Sequence, residues 1–187
     1  VANDAAPPGK ALKYARIERE RRFLLRGRPD VKPTRTTLIA DGYLIGTRIR
    51  LRKSIEWDGT GQLAIYKLTQ KIPRTDDEPA LITTMYLTEA EFQALENLPA
   101  TRIEKTRLSI PPYGVDVFHG DLDGLYLAEV EFDTDQEMAG FTPAPFIVAE
   151  VTDDPRLTGA SLTTADRATV AVALAEYGVT MSAPSSG

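Results

Sequence analysis

The chain has 187 residues, 42% of them hydrophobic and 26% charged, with no cysteine, a net charge of −5 and a pI near 5.0. Such values suit one sizeable globular core and exclude both a disulfide framework and a thiolate metal site. The acidic balance argues against a binder of nucleic-acid duplexes, which would show a basic footprint, and no apolar run approaches the ~20 residues of a membrane span.

In chain order, "VANDAAPPGK" is small, polar and proline-bearing, so residues 1–13 are expected to be a disordered tail and a single domain is expected over 14–179. The dominant rhythm inside it has period two and is broken by turn signals such as "DGTG", "PPYG" and "HGDLDG", which predicts an antiparallel sheet rather than βαβ units. The first strand, within "RIERERRFLLR", carries Glu18, Glu20 and Arg22 on one face. "TRIRLR" gathers Arg48, Arg50 and Arg52 on one face, and "YKLTQK" gathers Lys67, Thr69 and Lys71. In "LTEAEFQALENLP" the Thr88 and Glu91 spacing is that of a capping box, with Leu87 and Phe92 placed as a hydrophobic staple, so a helix is expected there. "IEKTRL" then collects Lys105 and Arg107, "GVDVF" supplies Asp116, and "LYLAEVEF" sets Glu129 beside Glu131. A second, alanine-rich helix is expected over "TADRATVAVALAEYG", packed on the sheet and stopping near Gly178, before a disordered tail from 180 to 187.

Ordinary solvated faces intersperse both signs, whereas here sign is sorted strand by strand. Like charges on one face repel unless a counter-ion lies among them. Basic members outnumber acidic ones, and arginines in rows suit phosphate because each guanidinium grips two oxygens. Grouped carboxylates without histidine or cysteine are hard ligands suited to Mg2+ or Mn2+. These faces would meet on one small polyanion if the sheet closed into a barrel with its charges inside and its apolar faces outside under helices. His119, the single histidine, reads as a turn residue, and Trp57 as packing over a hairpin end.

With these residues in order, the chain resembles the CYTH domain of the triphosphate tunnel metalloenzymes, whose signature opens the first strand as Glu-x-Glu-x-Lys. The matching stretch is Glu18 to Arg22, followed by "DGYL" at Asp41 to Leu44, "TRIRLR", "LTQK", "EKTR", "VDVFHGDLDGLYLAEVEF" and "EVTDD" at Glu150 to Asp154. The resemblance covers residues 16 to about 162 and implies a mainly antiparallel β fold with flanking helices, an eight-stranded closed β-barrel enclosing a charged tunnel. It implies metal held by Glu18, Glu20, Glu129 and Glu131, with Asp116 as an outer or occasional ligand. Phosphate would be gripped by Arg48, Arg50, Lys71, Lys105 and Arg107, with Arg52, Lys67 and Arg156 as further candidates; Glu150 is as readily an ordinary surface carboxylate.

The sequence departs from the family pattern in three places. Arg22 replaces the signature lysine and cannot release a proton, so it is no general base but can still bind phosphate; Glu18, Glu20 and Arg22 are the expected catalytic set. Thr84 and Tyr86 stand where a second acid pair is expected, and Arg156-Leu157-Thr158-Gly159 replaces an Arg-Tyr-x-Asn stretch. The implied activity is metal-dependent hydrolysis of a triphosphate, with inorganic triphosphate the expected substrate and the cytoplasm the expected compartment. The expected partner is a small triphosphate or polyphosphate, without duplex nucleic acid or membrane, on a monomer or homodimer. A class IV adenylate cyclase and a noncatalytic polyphosphate-binding module are the alternatives.

Overall fold

The computed structural model describes residues 13–57, 61–75 and 78–181. Most of the expected N-terminal tail, the "DGT" of one hairpin and two acids of "RTDDEPA" lie outside these residues. Ten strands form one antiparallel sheet: β1 Arg16–Ile17, β2 Glu20–Leu25, β3 Arg35–Leu44, β4 Ile49–Trp57, β5 Gln62–Ile72, β6 Leu81–Leu87, β7 Ala100–Ile110, β8 Tyr113–Phe118, β9 Tyr126–Glu131 and β10 Ile147–Glu150. Their order is β1-β6-β5-β4-β3-β7-β8-β9-β2-β10. Two chain-adjacent runs of antiparallel strands, β3 to β6 and β7 to β9, are joined through the long β3 to β7 ladder.

The sheet is not the eight-stranded closed barrel that the sequence suggests. The first strand breaks at Glu18 and Arg19, so that β1 pairs with β6 while β2 pairs with β9. The other side of β2 is taken by β10, with Glu150 opposite Phe23 and Val151 N–H donating to Arg22 O at 2.8 Å. No free side of β2 remains to complete a ladder with β6, and the order keeps two ends. The sheet is nevertheless strongly curled. Only two residues separate β1, at one end of the order, from β2, next to the other end, and two residues of extended chain span less than about 11 Å.

Alternation then decides which residues line the inside. Glu20, Arg22 and Leu24 share one face of β2, opposite Glu131, Glu129 and Leu127 of β9. That inner face is charged along part of its length and apolar along the rest. The apolar part, with Leu24, Ile103, Phe118 and Leu127, packs against Leu157, Leu162, Val170, Leu174, Val179 and Met181 from the C-terminal segment. Two helices supply it, α3 at Gly159–Leu162 and α4 at Arg167–Ala175, so the second expected helix fills one end of the concave face instead of covering its outside. Met181, assigned to the C-terminal tail by sequence, is buried in this cluster.

Elsewhere helices cover the outer face as expected. The first, α1 at Glu89–Leu95, has the predicted capping box, and Leu87 and Phe92 close together over Leu51, Tyr66 and Leu68 of β4 and β5. The second, α2 at Asp135–Gly140, is an additional helix with a capping box from Thr134 and Glu137. Beyond it, Phe141 and Phe146 cover Phe23, Leu25, Tyr113, Val115 and Val130. Trp57, expected to pack, is half exposed.

The C-terminal segment is held by charge. Buried Asp154 accepts from Arg156 and from the Tyr177 hydroxyl at 2.9 Å, and Arg156 also reaches Glu176 just past α4. At the same end Arg26 donates to Gly178 O at 2.6 Å, and Gly178, at φ 67°, ends the helix turn as expected. Hydrogen bonds from Arg156 hold the Asp154 carboxyl down to about 2 from its ordinary 3.8. A depressed carboxyl adds stability that is present above its unfolded value and lost as pH falls through its folded value. Asp154→Asn is therefore expected to cost about 1–2 kcal/mol at neutral pH, and the difference from wild type should shrink as pH falls below about 4 and be lost as it passes through about 2, checked by urea unfolding across that range.

Candidate functional site

The charged part of the concave face is a network in which almost every cation is paired. Asp116 is 1% exposed and accepts two hydrogen bonds from Arg107, both 2.7 Å, and a third from Lys105 Nζ. Arg107 also donates through Nη2 to Glu129, two strands away. Its side chain can cross β8 because the position between is Gly114, where a Cβ would lie 3.2 Å from Arg107 Cδ and Nε. Arg22 Nη2 lies 3.1 Å from Glu20 Oε1, and its Nε lies 3.7 Å from Glu129 Oε1. Lys71 Nζ is 2.5 Å from Glu18 Oε1. On the facing strands β3 and β4, Arg52 donates from Nε and Nη2 to both oxygens of Asp41, each at 2.6 Å. Arg50 Nε is 3.8 Å from the same carboxylate, buried, and without a hydrogen-bond partner among the described residues.

Ionisation follows from this pairing. Burial opposes the charge of Glu129, but Arg107, Lys105 and Arg22 outweigh it and hold the carboxyl well below its ordinary range. Burial also opposes Arg107, which Asp116 and Glu129 nonetheless keep firmly protonated. Glu20 moves the other way. Burial and then the Glu129 charge push its carboxyl up, more than Lys71 and Arg22 pull it down. Lys105 is lowered because burial outweighs its attraction to Asp116. Lys71 on β5 acts on Glu129 on β9 although four strands lie between them in the order, which places both on the inside of the curl.

The structure thus brings together Glu18, Glu20, Arg22, Arg50, Arg52, Lys71, Lys105, Arg107, Asp116 and Glu129. Asp116, expected as a metal ligand, is fully engaged as a brace for Lys105 and Arg107. Glu131 lies at the exposed end of β9, opposite Glu20. Arg48 sits one residue before β4, and its carbonyl accepts from Lys71 N at 3.1 Å. Lys67 stands opposite Arg52 with its ammonium 5.1 Å from the Tyr86 ring centre. Arg156 is engaged outside the network by Asp154 and Glu176, and Glu150 by Arg21 at 2.6 Å. His119 is exposed, caps a turn and hydrogen-bonds Thr106 Oγ1 at 2.8 Å. In the departing C-terminal stretch, Gly159 lies against Tyr43, whose hydroxyl would be 2.2 Å from any Cβ there.

Asp41 joins the network although the sequence marks it only as part of "DGYL"; the signal for it is its position, a carboxylate inside a long strand, two residues from Ile39 and Tyr43, on the face that meets the arginines. Thr84 exchanges a hydroxyl hydrogen bond with buried Thr69 at 3.1 Å, and Tyr86 is 73% exposed.

Among the described residues no three acids converge closely enough to form a ready-made metal cage. The donors are all carboxylates, and Glu20, raised first by burial and then by the Glu129 charge, stands on the same face as Glu129. In donor chemistry the set fits a hard divalent ion.

The brace role of Asp116 has a direct consequence. Asp116→Asn removes the charge that compensates two buried cations and is expected to cost about 3 kcal/mol, whereas Lys105→Met, which leaves Asp116 paired with Arg107, should cost distinctly less; urea unfolding of both variants checks the order.

No protein-family model matches the chain. Over 144 residues it is 31% identical to the inorganic triphosphatase of Nitrosomonas europaea, covering 74% of this chain and 91% of that protein. Two crystal structures are similar in fold, each 27% identical: one described as the hypothetical protein NE1496, at a TM-score of 0.52 over 80% of this chain and 99% of the other, and one as the inorganic triphosphatase NE1496, at 0.51 over 79% and 95%. That degree of identity over most of both chains, with the ordered charged motifs gathered on one concave face, establishes that the chain belongs to the CYTH-type triphosphatase family.

Proposed function

We propose that this protein hydrolyses inorganic triphosphate to pyrophosphate and phosphate on the charged inner face of its curled sheet. The observation that carries the reading is the gathering of Arg22, Arg50, Lys71, Lys105 and Arg107 on one inner face with Glu20 and Glu129. A compact, highly charged polyanion accompanied by a cation matches that combination of signs. The likeness to an inorganic triphosphatase supports the same substrate.

In this reading water attacks the terminal phosphorus, the bond from that phosphorus to the bridging oxygen breaks, and the negative charge passes to the leaving pyrophosphate, while the proton lost by the attacking water passes to a product oxygen or to solvent. The chain's own contribution is position and charge. Arg50, Lys71, Lys105 and Arg107 neutralise the oxygens of the bound chain of phosphates and hold it in line. Arg22 keeps its proton and serves as a binder, since a guanidinium does not act as a general base. Glu18, Glu20, Glu129 and Glu131 would hold Mg2+ or Mn2+, which when bound supplies charge neutralisation at the phosphate and a more acidic water. Asp116 braces the basic residues, and Arg156 secures the C-terminal segment. The face is bounded at one end by the apolar packing of α3 and α4, so in place of a through-tunnel we propose a site open towards the exposed rim at Glu131, Thr84 and Tyr86.

No helix among the described residues is long and apolar enough to cross a membrane. With the absence of cysteine, this supports the cytoplasmic placement as part of the proposal.

Phosphate release from triphosphate with Mg2+ or Mn2+ is the test. Glu129→Gln and Arg50→Ala should each lower kcat/KM by about 100-fold with folding intact by circular dichroism, and a chelator should abolish turnover. Tight binding without release, faster release from ATP, or indifference to both substitutions would each overturn the proposal.

A further inference from the structure

The two arginines of β4 that face inward are treated very differently by their surroundings. Arg52 lies directly opposite Asp41 in the β3 to β4 ladder, and both carboxylate oxygens accept from it at 2.6 Å. That bidentate fork leaves little of its donor capacity towards Asp41 unspent. Arg50, two residues earlier on the same face, is 3.8 Å from the same carboxylate, too far for a hydrogen bond, and its Nε is buried without a hydrogen-bond partner among the described residues. An unsatisfied buried donor on a cation is costly unless something completes it. Asp41 itself is 3% exposed, and although burial opposes its charge, Arg52 and then Arg50 hold it ionised.

A carboxylate in a site that receives a polyanion is unfavourable on charge alone, so its presence requires another account. We propose that Asp41 is a positioning residue of the phosphate site: it commits Arg52 to a two-bonded brace and, by attraction at 3.8 Å, holds Arg50 with its Nε free for an oxygen of the incoming phosphate. Arg52 is then a strut and Arg50 the binder, although sequence spacing makes the two equivalent. The competing cation opposite Arg52 is Lys67, and the pair is tolerable because the Asp41 charge lies on the other side of Arg52. This inference rests on the phosphate-binding reading of the site and deepens it by dividing the work between its arginines.

The test is the Michaelis constant for inorganic triphosphate in a double-mutant cycle between Asp41→Asn and Arg50→Ala, with thermal melting of every variant. Removing a negative charge should tighten a polyanion if charge alone matters; the positioning role predicts the opposite sign, KM rising by about fivefold or more, with the effect largely lost when Arg50 is already alanine. Should Asp41→Asn fail to fold, Arg52→Lys replaces it: charge is kept but the fork is lost, Asp41 is released to capture Arg50, and KM should rise with the same dependence on Arg50. An unchanged or lower KM, or an equal rise in both backgrounds, overturns the positioning role while Arg50→Ala alone still weakens substrate. If Arg50→Ala alone leaves KM and kcat at wild-type values, the phosphate reading falls and this inference with it.

Discussion

Burying charge inside a sheet is the constraint on which this structure turns. Taking carboxylates and guanidinium groups out of water carries a desolvation cost of several kcal/mol per ion, and only close pairing with additional hydrogen bonds offsets it. The inner face meets that cost pair by pair: Asp41 with Arg52, Asp116 with Lys105 and Arg107, Glu129 with Arg107 and Arg22, Glu18 with Lys71. Each pair joins different strands or the link between β1 and β2, so the network also fixes how the sheet curls. One donor in the network, the Arg50 Nε, is left buried without a hydrogen-bond partner among the described residues.

The remaining architecture isolates that network. Outside the curl, α1 seals Leu51 and Tyr66, and the segment from α2 to Phe146 seals the aromatic cluster around Tyr113. On the inside, α3 and α4 cap the end where Leu24, Leu127, Phe118 and Ile103 replace charge with hydrocarbon. Low dielectric on that side strengthens the paired charges next to it. The latch of Asp154, Arg156, Glu176 and Tyr177 keeps this cap in place and occupies Arg156 away from the network.

Much of the site was legible in the chain because a strand has a fixed period. Glu18, Glu20, Arg22, Arg50, Lys71, Lys105, Arg107 and Glu129 could be assigned to shared faces by counting in twos, and α1 by its capping box. Asp41 escaped because a single acid in "DGYL" carries no sorted pattern of its own; its meaning comes from Arg52 directly across the ladder. Gly114 escaped for a similar reason, since what it leaves room for is a side chain from the neighbouring strand. The closed barrel failed on a detail that composition does not encode, the break at Glu18 and Arg19 and the occupation of β2 by β10.

Sequence alone therefore determined the sign of each strand face and the residue types available for phosphate and metal, because the pleat of the backbone forces side chains to alternate whatever lies beside them. Tertiary structure decided which acid serves which base, which arginine keeps a free donor, and which end of the face is filled with hydrocarbon. Those outcomes depend on strand register and curl, and register is a relation between segments distant in the chain that no single segment carries within itself.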